Sequence, residues 1–246
     1  MKTIALYNNK GGVGKTTSVI NLAYILAEKN KQILVIDCDG QMNSSRFFAA
    51  NQTSCGMEEI LLNGDNMADC FSKTKYENID ILVSTRKLNN IHTEFYNLPG
   101  SEQEQNIFNL LNKHEKDYDY VILDLPPAMN KVTEMLLAAV DCVIVPIELG
   151  TFSIQGISNV TETLNTVGAK FGGCFVTKFD KKNPADLQML DILKKSLGNK
   201  TYSALIPFSR VIKNSVNYKV TAVEYMGWSE AVLEYKKLAD EILESL

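Results

Sequence analysis

The sequence predicts an α/β fold in which a doubly wound, mainly parallel sheet is flanked by helices. Three observations predict it. Strand-like and helix-like segments alternate over all 246 residues, the order that produces parallel strands joined by right-handed crossovers. The strand-like segments are continuous apolar runs, such as Ile33-Leu34-Val35-Ile36 and Val121-Ile122-Leu123, as expected of strands covered on both faces. A glycine-rich turn joins the first strand to the first helix. With 45% hydrophobic residues the chain can bury a substantial core, and one domain over residues 1–246 is expected.

The first strand is Thr3-Ile4-Ala5-Leu6-Tyr7, and Val19, Ile20, Leu22, Ala23, Leu26 and Ala27 give the helix after the turn its apolar faces. Between them lies Asn8-Asn9-Lys10-Gly11-Gly12-Val13-Gly14-Lys15-Thr16-Thr17. Glycines let the backbone curl so that successive N–H groups point inward, and the helix adds its free N-terminal donors and positive dipole end. This is a phosphate cradle, to which Lys15 adds a point charge and Thr16 a hydroxyl for magnesium.

The next strand ends in Asp37-Cys38-Asp39-Gly40-Gln41-Met42-Asn43. Two carboxylates two residues apart on an extended segment point the same way, at the strand's C-terminal edge, where open α/β sheets hold ligands. A capping turn before Ser44 is the alternative. Shorter helical pieces, Met57 to Leu62 and Leu88 to Tyr96, surround a strand at Ile79 to Val83. Ser101 and Glu104 fit a capping box for a further helix whose core face carries Ile107, Leu110 and Leu111. Tyr118-Asp119-Tyr120-Val121-Ile122-Leu123-Asp124-Leu125-Pro126-Pro127 is a buried strand that brings Asp124 to the same sheet edge, and its prolines stop it. Helix Thr133 to Asp141, strand Cys142 to Ile147, a helix opening at Phe152, strand Gly172 to Asp180 and strand Ser203 to Pro207 complete the alternation.

Five cysteines, Cys38, Cys55, Cys70, Cys142 and Cys174, include no CxxC pair. Their odd number and scatter predict free buried thiols and no zinc or iron-sulfur site. His92 and His114 lie in polar surroundings and are expected at the surface. No secretory leader or membrane-spanning run is evident, so a cytoplasmic protein is expected.

Lys10 to Thr17 resembles the deviant Walker A motif of ParA/MinD-type ATPases, in particular the short ParA proteins. Asn9 stands where a standard phosphate loop has glycine. Asp37 to Asn43 resembles the DxDPQxN segment of that class with Gly40 in place of proline, and Tyr118 to Pro127 resembles its YDYxxxDxPP block. The resemblance continues through the later strands. It implies a Mg2+-dependent ATPase in which Gly11, Gly12, Val13, Gly14, Lys15, Thr16 and Thr17 hold the phosphates of ATP. Thr16, Asp37 and Asp124 would hold the hydrated magnesium, Asp39 would orient the attacking water, and Lys178, Asp180 and Pro207 would approach the base. Lys10 would reach the nucleotide of a second subunit in an ATP-dependent homodimer, and Lys10, Lys15 and Asp39 would carry catalysis.

Net charge is −4, so any DNA contact needs a local patch. Residues 178–219 hold nine basic and three acidic side chains, an excess of six that leaves −10 for the remainder. A solvated helix face is the usual account of such a run; a local excess on an otherwise negative protein is also what a phosphate-backbone footprint needs. The second option makes Lys181, Lys182, Lys194, Lys195, Arg210, Lys213 and Lys219 candidates for nonspecific DNA contact. ParA-type proteins bind DNA in this way as ATP-bound dimers and answer to a ParB-like adaptor, which implies nucleoid association and a role in partitioning. The segment from Ser229 to Leu246 carries five acids and two lysines, unlike the basic membrane helix of MinD relatives, so no membrane contact is expected. Two rival functions remain: a related ATPase that positions a protein machine without touching DNA, and a metabolic ligase or reductase of the same fold.

Overall fold

The computed structural model describes residues 1–49, 55–64, 70–112, 117–151 and 153–246. His114 and Phe152 lie outside the described residues. Eight strands form one sheet: β1 (Lys2–Leu6), β2 (Ile33–Asp37), β3 (Phe71–Lys73), β4 (Ile79–Leu82), β5 (Tyr120–Asp124), β6 (Cys142–Glu148), β7 (Phe171–Phe179) and β8 (Thr201–Pro207). Their order is β3-β4-β2-β5-β1-β6-β7-β8. Every neighbouring pair is parallel except β3 with β4. The sheet is therefore doubly wound as expected, with one short antiparallel edge.

Successive side chains of a strand face opposite ways, and the central strands divide accordingly. Ala5, Leu34, Ile36, Val121, Leu123 and Val145 face one core. That core is covered by α3 (Met57–Asn63), α4 (His92–Asn97), α5 (Gly100–Asn112), α6 (Lys131–Ala139), α7 (Ser153–Thr166) and α8 (Pro184–Leu197). Ile4, Leu6, Ile33, Val35, Ile122 and Phe175 face the other, which α1 (Lys15–Glu28), α2 (Asn43–Phe48) and α11 (Glu230–Ser245) cover. Two short helices, α9 (Arg210–Asn217) and α10 (Ala222–Met226), connect β8 to α11. Among the described residues, no helix is long and apolar enough to cross a membrane.

The acidity of α11 has a structural use. Glu241 accepts hydrogen bonds from the backbone N–H groups of Ser203 and Ala204 and from the Ser203 hydroxyl, and Glu234 accepts from the N–H of Leu205 at 2.7 Å. These donors belong to β8, the edge strand, whose outward N–H groups have no neighbouring strand among the described residues. The helix thus closes an edge that would otherwise be open to pairing.

Four local expectations are corrected. Cys55 and Cys70 form a disulfide with Cα atoms 5.1 Å apart, leaving Cys38, Cys142 and Cys174 as buried thiols. The two cysteines are 15 residues apart in sequence and meet because Cys55 leads into α3 while Cys70 leads into β3. The helix over Leu88 to Tyr96 is instead a 3-10 turn, Arg86–Asn89, followed by α4. Ser101 does not cap α5, because the N–H groups of Glu102 and Gln103 bond the Pro99 carbonyl and place Ser101 inside the first turn. His92 is half-buried, with its Nδ1 shielded from solvent and without a hydrogen-bond partner.

Replacing Glu241 with Ala should free the Ser203 and Ala204 donors and cost about 1 kcal/mol, a low value because the edge stays accessible to water. Chemical denaturation would show this as a lower midpoint with the same slope.

Candidate functional site

The C-terminal ends of β1, β2, β5 and β7 converge on the turn before α1. Gly12 and Gly14 have φ of 75° and 92°, a region closed to most side chains. A Cβ on Gly11 or Gly12 would meet nothing within 4 Å, and one on Gly14 only Thr177 Cγ2 at 3.9 Å. The glycines therefore face an open hollow. No side chain caps α1, and its first turn holds no acid, so its leading N–H groups and dipole are available to an anion. The donors present fit a polyphosphate.

Neighbouring strands fix the loop from outside. Asn8 donates to the Pro146 carbonyl at 2.8 Å and accepts from the Lys10 N–H at 2.9 Å; the Thr177 hydroxyl donates to the Val13 carbonyl at 2.9 Å. Lys15 is buried, with Nζ 3.0 Å from the Asn8 carbonyl oxygen. Burial lowers its pKa, and the negative charges of Asp124 and Asp39 oppose that shift. The Lys10 backbone is held by the same contacts, whereas its side chain is exposed and has no ion-pair partner among the described residues.

Asp37 and Asp124 pair in register at the ends of β2 and β5, and both are buried. Asp124 accepts from the Ser44 hydroxyl at 2.6 Å, and the Thr16 hydroxyl nearby also favours its charged form. Asp37 accepts from the Ser45 N–H and hydroxyl, both at 2.7 Å, and from the Asp39 N–H at 3.0 Å. Burial raises both carboxyls above the usual range, chiefly against the pull of these hydroxyls, and mutual repulsion adds to the rise at Asp37. Two buried oxygen acids beside a Thr hydroxyl suit a hard dication that completes its shell with phosphates and water. Among the described residues no cluster of three or more His, Cys, Asp or Glu side chains forms a metal cage. Asp39 is half-buried on the turn after β2, and its carboxylate accepts from the Gln41 N–H at 2.9 Å.

A cavity of about 260 Å³ runs from Gly12, Gly14 and Thr17 to Lys178, Pro207 and Phe208. Arg210 and Lys213 also line it. Lys178 has φ of 53° and pairs with Glu148 at 2.9 Å. Asp180 does not line this cavity: its N–H bonds Asp186 Oδ2 and its carboxylate accepts from the Lys182 N–H, which ties it to the turn before α8. Of the other basic candidates, Lys181 pairs with Glu230 at 2.8 Å and Lys195 with Asp191 at 2.6 Å; Lys182, Lys194 and Lys219 are exposed.

The family model AAA_31, described as an AAA domain, matches residues 1–173. The chain belongs to this family. Within AAA_31 it is a P-loop ATPase of the ParA/MinD type. It is 28% identical over 250 residues to the sporulation initiation inhibitor protein Soj of Bacillus subtilis, with 98% of each chain covered. It is also 28% identical over 249 residues to the chromosome-partitioning ATPase Soj of Thermus thermophilus, covering 99% of this chain and 96% of that one. The septum site-determining protein MinD of Pyrococcus horikoshii, solved with Mg-ADP, shares the fold with a TM-score of 0.80 at 19% identity, over 98% of this chain and 95% of that one.

Sequence reasoning on this AAA_31 chain missed Asn8, Ser44, Ser45 and Thr177, which hold the loop and the two acids. Only Ser44 and Ser45 carried a signal, as adjacent hydroxyls directly after the Asp-rich turn. The ligand-free fold keeps protons on Asp37 and Asp124 that the unfolded chain has lost, so these groups make stability fall as pH rises from about 4 and level off once both are ionised. With Asp37 pushed up to about 7, Asp37→Asn should flatten the decline between about pH 5 and 7. Urea midpoints of both proteins at pH 5 and 8 would measure it.

Proposed function

We propose that this protein is a magnesium-dependent ATP switch that dimerises face to face over ATP, binds DNA nonspecifically as the dimer, and partitions a plasmid, mobile element or chromosome. A ParB-like adaptor would accelerate its turnover, and the protein would work in the cytoplasm, on the nucleoid when ATP-bound. The observation that carries the proposal is Lys10, a second lysine on the phosphate loop whose backbone is fixed and whose side chain has no ion pair among the described residues of its own chain. The names of the two Soj relatives and the Mg-ADP in the MinD structure support the same reading.

In this reading the loop N–H groups and Lys15 hold the β- and γ-phosphates, and Lys10 of each subunit reaches the phosphates held by the other. Asp39 orients the water for in-line attack. Magnesium, held near Thr16, Asp124 and Asp37, would neutralise charge on the phosphate oxygens. Positioning and preorganised charge supply most of the acceleration in such a transfer. Hydrolysis then separates the subunits.

A second reading, an ATPase that positions a protein machine without touching DNA, is favoured by the pairing of Lys181 and Lys195 with acids. Those two cations are partly neutralised on the surface where a phosphate backbone would lie. Binding to random duplex DNA with and without a nonhydrolysable ATP analogue separates the two readings, and ATP-dependent affinity supports the first. Neutralising Arg210 and Lys213 should lower the salt slope by about 1 for each DNA phosphate that the variant no longer neutralises. ATP affinity is measured in parallel because both residues line the nucleotide cavity.

Lys15→Ala should abolish ATP binding. Asp39→Ala should bind ATP, stop hydrolysing it and elute as a stable dimer on sizing in ATP. Lys10→Ala should bind ATP and remain a monomer. A Lys10→Ala protein that still dimerised with ATP would remove the basis for the shared site.

A further inference from the structure

The turn that carries Asp39 is fastened at successive backbone groups. The Asp39 N–H donates to Asp37 Oδ1 at 3.0 Å, the Asp39 carbonyl accepts from the Ser84 hydroxyl at 2.7 Å, and the Gly40 carbonyl faces Asn89 Nδ2 at 3.5 Å. Gly40 is buried and is not one of the glycines at positive φ, so its backbone conformation does not call for glycine. Its neighbour does. A Cβ on Gly40 would lie 2.5 Å from Asn89 Cγ and 2.6 Å from Asn89 Nδ2, closer than such atoms approach. The Asn89 carboxamide occupies the volume that a side chain at position 40 would need.

The Asn89 side chain is exposed, and it is its backbone turn that is fastened. It ends the 3-10 turn Arg86–Asn89, whose N-cap Thr85 accepts from the Lys87 N–H at 3.2 Å. Thr85 in turn bonds the buried Glu58 through both its N–H and its hydroxyl. On the far side, Asn89, Asp39, Gly40 and His92 line a cavity of about 80 Å³ that extends to Asn130, on the loop after β5. A displaced carboxamide therefore has somewhere to go, but only by leaving Gly40.

We propose that Asn89 is a positioning residue for hydrolysis, filling the place of a side chain at position 40 and bracing the turn that aims Asp39. At 3.5 Å the hydrogen bond is at the outer limit of a useful one, so packing against Gly40 is the larger contribution. The inference rests on the role given to Asp39 above.

The test is a double-mutant cycle on the full chain, with kcat for ATP hydrolysis, ATP Kd and thermal midpoint measured for Gly40→Ala, Asn89→Ala and the double variant. Misplacing a catalytic group by a fraction of an ångström should lower kcat by about tenfold in either single variant while ATP Kd stays within about twofold. In the double variant the methyl added at position 40 enters the volume that Asn89→Ala vacates, so the loss should be about tenfold or less, where independent effects would multiply to about a hundredfold. Asn89→Ala hydrolysing at the parental rate overturns the proposal. So does a multiplicative double variant, or a loss of kcat matched by lost ATP affinity or thermal stability. Asp39→Ala is run alongside: if it retains the parental rate, the assigned role of Asp39 falls, and this inference falls with it. A dead Asp39→Ala beside a fully active Asn89→Ala sinks only the inference.

Discussion

The register between β2 and β5 sets two carboxylates side by side in the interior, and much of the surrounding structure can be understood as a response to that. Asp37 and Asp124 are both buried and in register. Burying like charges together is costly in a low dielectric unless each finds donors or a cation. Ser44, Ser45 and the Asp39 N–H supply the donors. Lys15 supplies a nearby positive charge, at the expense of its own desolvation. A site prepared in this way favours the arrival of a dication, because the ion relieves a repulsion that the fold has already concentrated.

The same constraint explains why the lysines of the loop differ. Lys15 is drawn inward by two acids and by the Asn8 carbonyl, which keeps it within its own loop. Lys10 lies five residues earlier, before the glycines, and faces solvent. Beside it, a hollow of about 240 Å³ lined by Asn9, Glu148, Gly150 and Gly156 opens on the outer side of the loop. One lysine is thus committed to the chain that carries it, and the other is free to act elsewhere.

Most of the sheet was legible because a buried parallel strand must be apolar throughout, and such runs stand out against helices. The phosphate loop was legible because glycine, lysine and threonine at fixed offsets answer a geometric need. What escaped depends on contacts between segments distant in sequence. Nothing near Cys55 marks Cys70 as its partner, and nothing in β3 distinguishes three residues from a loop. The polar surroundings of His92 in sequence gave no sign that α4 would turn its Nδ1 away from solvent. Asp180 resembled a base-contacting residue by position, and its bonds to Lys182 and Asp186 in the turn before α8 were not visible in the sequence. Gly40 showed the limit of a motif comparison: the substitution was visible in the sequence, and the Asn89 carboxamide packed beside it was not.

The placement of Arg210 and Lys213 bears on how a nucleotide could govern the outer surface. Both begin α9, directly after the loop of Pro207 and Phe208, and both line the cavity that starts at Gly12 and Gly14. A ligand entering that cavity brings phosphate charge toward two cations whose other faces are exposed. Those cations cannot answer fully to an internal phosphate and an external one at once, so any differential contact with ATP alters what α9 presents outside. A ligand shifts a surface only by as much as it distinguishes the two arrangements.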